Sequence, residues 1–266
     1  MNSFLEGDNY HTQIDTPRHW LDKLSFNTRA YFILSFIDTV LRTRKVAMKG
    51  LYDKAKWIES SHDILRLIER CGGRFHITGL NHMREQKGPV VFISNHMSTL
   101  ETMVFPGIIA PFREVTFVVK DSLVKHPFFG AVMRSRNPIV VSRENSREDL
   151  MIVLNRGMEL LAKGISVVIF PQSTRNTEFN PAEFNSLGVK LAGRAGVPVV
   201  PVAIKTDFWE NGKIFKDLGP IRRLTPIYIE FGNLLNITGN GKEENEKIID
   251  FISSRLKGWG GKVLSS

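Results

Sequence analysis

From residue 72 onward the chain alternates short apolar runs with longer stretches of helical spacing. The runs at 89–94, 115–119, 138–141, 166–170, 199–204 and 227–231 are bounded by turn residues and have the near-continuous apolar character of strands buried on both faces. Between them, residues 99–109, 146–162 and 186–195 carry apolar positions at three- and four-residue steps. A last helix over 243–256 sets Ile248, Ile249, Ile252 and Leu256 on one side. This alternation predicts an α/β fold, a mixed and mostly parallel sheet flanked by helices on both faces.

Upstream the period is different. Residues 19–70 read as helical, with Trp20, Leu21, Leu24, Tyr31, Leu34, Ile37 and Leu41 at mostly three- or four-residue steps and a break at Gly50. The expected organisation is therefore an N-terminal helical pair within residues 1–71, followed by one α/β domain over 72–266. The apolar stretch at 30–41 is interrupted by Ser35 and Asp38 and falls short of the ~20 residues a membrane span needs. No transmembrane helix is expected.

Composition narrows the partners. A net charge of +9 favours something anionic: nucleic acid, an anionic membrane or a phosphorylated substrate. The single cysteine, Cys71, rules out an intramolecular disulfide framework and fits a reducing compartment. Glu6, Asp8 and Asp15 leave no basic-then-apolar signal pattern, so secretion is not expected. The histidines lack a short-spaced ligand signature, and no metal or resident cofactor is expected. A Gly-x-Ser-x-Gly elbow and a phosphate loop of the Gly-x-x-x-x-Gly-Lys type are also absent, as is any nucleic-acid recognition motif.

Two strand ends carry chemistry. After the strand at 89–94 comes Asn95-His96-Met97-Ser98-Thr99-Leu100-Glu101, at the carboxyl end where open α/β sheets bind ligands. Five helical steps leave His96 and Glu101 about 140° out of line, so pairing them requires a turn before the helix begins. Once paired, Glu101 orients one imidazole nitrogen and leaves the other as a base, with no nucleophile beside it. After the strand at 166–170, Phe170-Pro171-Gln172-Ser173-Thr174-Arg175-Asn176 gathers hydroxyls, an amide and a guanidinium whose planar fork suits phosphate. Taken alone, the first segment also fits a structural histidine beside a carboxylate, and the second a capped turn with a solvated arginine.

Together the segments resemble the glycerolipid acyltransferases, the family of lysophosphatidate and glycerol-3-phosphate acyltransferases. The family's first motif, Asn-His followed by four residues and an aspartate, is similar to Asn95 through Glu101. Its second resembles Phe128-Phe129-Gly130 through Pro138-Ile139-Val140-Val141-Ser142-Arg143-Glu144. Its third, Phe-Pro-Glu-Gly-Thr-Arg, is similar to residues 170–175, and its fourth to Val197-Pro198-Val199-Val200-Pro201-Val202. The four occur in the family's order over residues 72–204.

The resemblance implies transfer of a fatty acyl group from a thioester of coenzyme A or acyl carrier protein to the hydroxyl of a lysophospholipid, lysophosphatidate by default. His96 would be the base and Glu101 its partner. Arg143, Arg175 and Lys120 would hold the acceptor phosphate, and Gln172, Ser173 and Thr174 would form the acceptor loop. The expected setting is the cytoplasmic side of a membrane, bound peripherally or monotopically through Trp20, Phe26, Tyr31, Phe32, Phe36 and the cluster Arg42, Arg44, Lys45 and Lys49. Three positions depart from the family pattern. Glu101 replaces aspartate, Gln172 replaces glutamate and Ser173 replaces glycine, which leaves open another lipid hydroxyl or amine as acceptor, or lipid binding without catalysis.

Overall fold

The computed structural model describes residues 5, 7–172, 174–213 and 215–265. In chain order, β1 (Tyr10–His11) leads through α1 (Trp20–Leu24), α2 (Ala30–Met48) and α3 (Lys54–Arg70) to β2 (Phe75–Thr78) and α4 (Leu80–Arg84). β3 (Val91–Ser94), α5 (Leu100–Ile109), β4 (Val115–Lys120), α6 (Asp121–Lys125), α7 (Gly130–Ser135), β5 (Ile139–Val141) and α8 (Ser146–Ala162) follow. The chain continues through β6 (Ser166–Ile169), β7 (Glu178–Phe179), α9 (Leu187–Ala195), β8 (Val199–Lys205), β9 (Ile227–Phe231), α10 (Lys242–Gly258) and β10 (Lys262–Val263).

One eight-stranded sheet, ordered β1-β2-β9-β8-β3-β6-β4-β5, organises a single domain. β8, β3, β6, β4 and β5 run parallel, and the antiparallel pairs are β8–β9 and β1–β2. β3 sits inside this parallel set, with Val91–Ser94 wholly buried between β6 and β8. Adjacent strand residues point to opposite faces, and β3 shows both faces covered. The Phe92 ring meets Phe231 edge-on, on the side where Phe105 of α5 also reaches Phe231. Ile93 faces α9, so closely that a Cβ on Gly188 would lie 2.4 Å from its Cδ1. Helices thus flank the sheet on both sides, as the alternation of runs predicts.

The N-terminal region departs from a simple helical pair. It forms three helices preceded by a strand. The first break falls at Phe26 and Asn27, whose positive φ values of 52° and 60° no apolar spacing announces. α3 belongs to the core through its face on α5. There Pro106 lacks the N–H a helix interior needs, and the Ser61 hydroxyl repairs the neighbouring turn by accepting from Gly107 N at 2.8 Å and donating to Met103 O at 2.6 Å.

The orientation of α2 corrects the sequence reading. Phe32 and Phe36, expected at an interface, are buried edge-on against Trp209 at 4.8 and 4.9 Å, and Tyr31 stacks on His19. The exposed apolar face of α2 is Leu34, Ile37, Leu41 and Met48, with Trp20, Leu24 and Phe26 exposed just before it. Two arginines on a buried carboxylate fix the start of this region: Asp22 accepts from Arg18 Nε at 2.8 Å and Arg223 Nη2 at 2.7 Å. Arg223 also donates to the carbonyls of Asn27 and Thr28, closing the α1–α2 turn.

Trp209 is the wedge that holds α2 to the sheet. Trp209→Ala should therefore cost about 3–5 kcal/mol of stability, the usual range for a buried large aromatic. Urea unfolding followed by circular dichroism checks this, and Trp209→Phe should fall between variant and wild type.

Candidate active site

The site assembles at the carboxyl ends of the five parallel strands. β3 ends at Ser94 and delivers Asn95 and His96; β4 ends at Lys120; β5 leads to Arg143; β6 leads to the loop with Gln172, Thr174 and Arg175; β8 leads to Thr206. Asn95 extends the ladder with its side chain, donating to Ile204 O and accepting from Ile204 N, both at 2.9 Å. The backbone can therefore turn away after β3 without losing its registry to β8.

That turn brings His96 and Glu101 together. His96 Nδ1 lies 2.8 Å from Glu101 Oε1, which also accepts from the amides of Met97 and Ser98 at 2.8 and 2.9 Å. Oε2 accepts from the hydroxyls of Ser98 at 3.0 Å and Thr206 at 2.7 Å. Burial alone would push the Glu101 carboxyl up. The bond and charge of His96, the Thr206 hydroxyl and the Ser98 amide outweigh it and hold the carboxyl below the usual range. Glu101 is therefore an ionised acceptor, so His96 carries its proton on Nδ1 and presents Nε2 as a base. The ring stacks on Phe170 with centroids 4.3 Å apart, which fixes its plane.

Gln172 serves this turn from the other side. Its Oε1 accepts from His96 N at 2.6 Å, and the side chain is buried. It braces the backbone of His96 and is not among the described residues lining the cleft. An amide here keeps the acceptor that a glutamate would offer and withholds a second negative charge beside His96. Ser173 lies outside the described residues.

His96 opens onto a cleft of about 500 Å³. One part of its lining is cationic: Lys120, Arg143, Arg175 and Lys216. Another part is apolar, including Trp57, Met103, Phe117, Phe129 and Met133, with the Arg136 guanidinium lying over the Trp57 ring. Burial lowers the Arg143 guanidinium from its ordinary value; Asp149 opposes the shift and the neighbouring charge of Arg175 adds to it. Two guanidiniums whose charges repel across a strand-end cleft favour an anion between them. Arg143 is set by an unusual backbone, with φ 61° and its N–H bonded to Asp149 Oδ2 at 2.7 Å.

The family profile for acyltransferases matches residues 74–205, a span that contains the His96–Glu101 turn and both arginines. Over 241 residues the chain is 27% identical to a 1-acyl-sn-glycerol-3-phosphate acyltransferase of Pseudomonas aeruginosa, covering 90% of this chain and 84% of that protein. The chain belongs to the acyltransferase family. A chloroplastic 1-acyl-sn-glycerol-3-phosphate acyltransferase of Arabidopsis thaliana is 30% identical over 131 residues, 49% of this acyltransferase and 36% of the plant protein. The fold matches the crystal structure of the 1-acyl-sn-glycerophosphate (LPA) acyltransferase PlsC from Thermotoga maritima, with a TM-score of 0.57 and 17% identity over 93% of this chain and 95% of that one.

The structure brings His96, Arg143, Arg175, Lys120 and Thr174 to one cleft and sets Glu101 and Gln172 behind His96. Sequence reasoning missed Asn95 as a strand extender, Thr206 as a partner of Glu101, and Lys216 and Asp217 in the cleft lining. No local pattern distinguishes these from ordinary loop residues. The Cys71 thiol is buried and pushed well up, chiefly by burial, so it is inert as a nucleophile.

Glu101→Gln should destabilise the fold, because it leaves a charge-adapted pocket around a neutral amide. The folded carboxyl titrates below its ordinary value of 4.5. The stabilisation it supplies is thus full above that value and lost as pH falls through the folded one. Urea unfolding of wild type and variant should show a gap that is widest near neutrality and narrows toward acid.

Proposed function

We propose that the protein transfers a fatty acyl group from an acyl thioester, of coenzyme A or acyl carrier protein, to the free hydroxyl of lysophosphatidate. The observation that carries this reading is one cleft with an oriented imidazole, a cationic group of side chains and an apolar part. The cationic part, Arg143, Arg175, Lys120 and Lys216, suits the acceptor phosphate, and the apolar part suits an acyl chain. The names of the relatives support the same acceptor.

In this reading the acceptor hydroxyl lies against His96 Nε2, which takes its proton as the oxygen attacks the thioester carbonyl. A C–O bond forms, the C–S bond breaks, and the proton passes from the imidazolium to the departing thiolate. Glu101 holds the imidazole and stabilises its charged form without moving. No acyl-enzyme is required. Ser98 Oγ, two residues after His96, is committed to Glu101 and Thr206, and thioesters are already activated.

We further propose that residues 19–49 dock this cleft on an anionic bilayer. Among the described residues no helix is long and apolar enough to cross a membrane. The exposed face of Leu34, Ile37, Leu41 and Met48 instead suits an interfacial helix. Arg42 is paired with Asp38 and Asp63, whereas the bond of Arg44 to the neutral carbonyl of Pro127 leaves its charge, so salt-sensitive docking rests chiefly on Arg44, Lys45 and Lys49.

Purified protein with a labelled acyl thioester and a lysolipid panel tests the activity. Lysophosphatidate should be the preferred acceptor, and His96→Ala should lower turnover by about 10²–10⁴-fold with unchanged circular dichroism. Near-normal turnover in that variant would end the general-base reading. For docking, Leu34→Glu with Leu41→Glu should abolish sedimentation with anionic vesicles and spare transfer to a short-chain, monomeric acceptor. These substitutions are cleaner than deleting residues 1–49, which would strip Phe32 and Phe36 from Trp209. Vesicle binding that survives both changes would return this face to a purely structural role.

A further inference from the structure

Arg175, assigned above to the acceptor phosphate, already holds an anion. Its Nη1 contacts Asp217 Oδ1 at 2.7 Å, and the same oxygen accepts from the Thr99 hydroxyl at 2.7 Å. Arg175 Nη1 also donates to Thr99 Oγ1, which closes a three-membered cluster at the start of α5. Asp217 is the single acid among the described residues lining the cleft, where its charged neighbours are cations. An internal carboxylate thus sits where an external anion is expected.

This position is imposed by the excursion between β8 and β9. Near its base Trp209 is wedged into α2, Glu210 N bonds to Pro220 O at 3.0 Å, and Arg222 N bonds to Phe208 O at 2.7 Å. Farther out, Gly212 N reaches Lys216 O at 3.0 Å, and a Cβ on Gly219 would collide with Glu210 O at 1.8 Å. Arg29 Nη1 holds Leu218 O at 2.6 Å, immediately after Asp217. Asp217 is therefore presented to Arg175 from a braced loop, with its side chain only about a third exposed.

We propose that Asp217 is a resident carboxylate on Arg175 that sets an affinity threshold for acceptor headgroups: a phosphate monoester has the charge to displace it and a phosphate diester does not. The inference rests on the phosphate-bearing acceptor proposed above. A monoester carries about −1.5 to −2 charges near neutrality and three acceptor oxygens. Exchanging the single charge of Asp217 for it gains attraction to Arg143, Lys120 and Lys216 as well as to Arg175. A diester carries one charge, as the carboxylate does, and the exchange gains little. The carboxylate thereby sets a threshold on headgroup charge, and acceptors with a substituted phosphate fall below it.

The test needs no acyl donor. The full chain is titrated calorimetrically with sn-glycerol 3-phosphate, a monoester, and with glycerophosphoglycerol, a diester. Asp217→Asn keeps the size and an accepting oxygen while removing the charge, and circular dichroism checks its fold. Wild type should bind the monoester at least about tenfold tighter than the diester, the scale of one charged hydrogen bond. In Asp217→Asn neither headgroup has a carboxylate to displace, so both should gain about tenfold and the diester should bind about as tightly as the monoester binds wild type. Unchanged or weaker binding of both headgroups in the variant would make Asp217 a support for Arg175 and overturn the proposal. If wild type still acylates lysophosphatidate in that case, only the role of Asp217 falls. A wild type that binds neither headgroup and transfers to no phosphate-bearing acceptor overturns both readings together.

Discussion

An ionised carboxylate with no solvent access is tolerable only when donors surround it, and Glu101 has been given them from two parts of the chain. The amides of Met97 and Ser98 and the hydroxyl of Ser98 come from the turn after β3; the hydroxyl of Thr206 comes from the end of β8. Those bonds close the turn, fix the first residues of α5, and leave His96 Nδ1 as the remaining donor on Oε1. The tautomer of the base therefore follows from satisfying a buried charge. The extra methylene of glutamate over aspartate is accommodated by the same geometry, since the carboxylate reaches back over its own helix start.

The same bonds constrain the chemistry. The amides of His96, Met97, Ser98 and Leu100 all have internal acceptors: Gln172, Glu101 twice, and Ser98 Oγ. Helix starts commonly offer such amides to anions. Here they serve the base and its partner, so anionic groups entering the cleft meet side-chain cations from β4, β5 and β6. This division explains why the site is built from five strand ends, with His96 after β3 and Arg175, Lys120 and Arg143 at the ends of β6, β4 and β5 to one side of it.

Six apolar strands, β3, β4, β5, β6, β8 and β9, were legible because a parallel sheet covered on both faces demands near-continuous apolar runs, and the long helices because their apolar periods are strong. β1 and β2 were not: β1 is two residues long, and His76 and Thr78 interrupt the apolar pattern of β2. Both exist through pairing with distant segments. The orientation of α2 shows a deeper limit. Spacing establishes that Phe32 and Phe36 share a face, but the residue that makes this the inner face, Trp209, lies far along the chain. Gln172 is comparable, since a motif locates it in the site loop while only the fold turns its amide onto His96 N.

The excursion between β8 and β9 joins features that the sequence keeps apart. Trp209 fills the inner face of α2, Arg223 clamps the α1–α2 turn and Asp22, and Asp217 holds Arg175. The exposed apolar face of α2 and the cationic part of the cleft are therefore mounted on one braced piece of backbone. Close-packed aromatic contacts resist sliding, and charged hydrogen bonds fix angle as well as distance. The orientation of the cleft relative to the apolar face is thus set by folding. The loop that seats α2 through Trp209 is also the one that presents Asp217 to the cleft, so a change in the packing of either end is felt at the other.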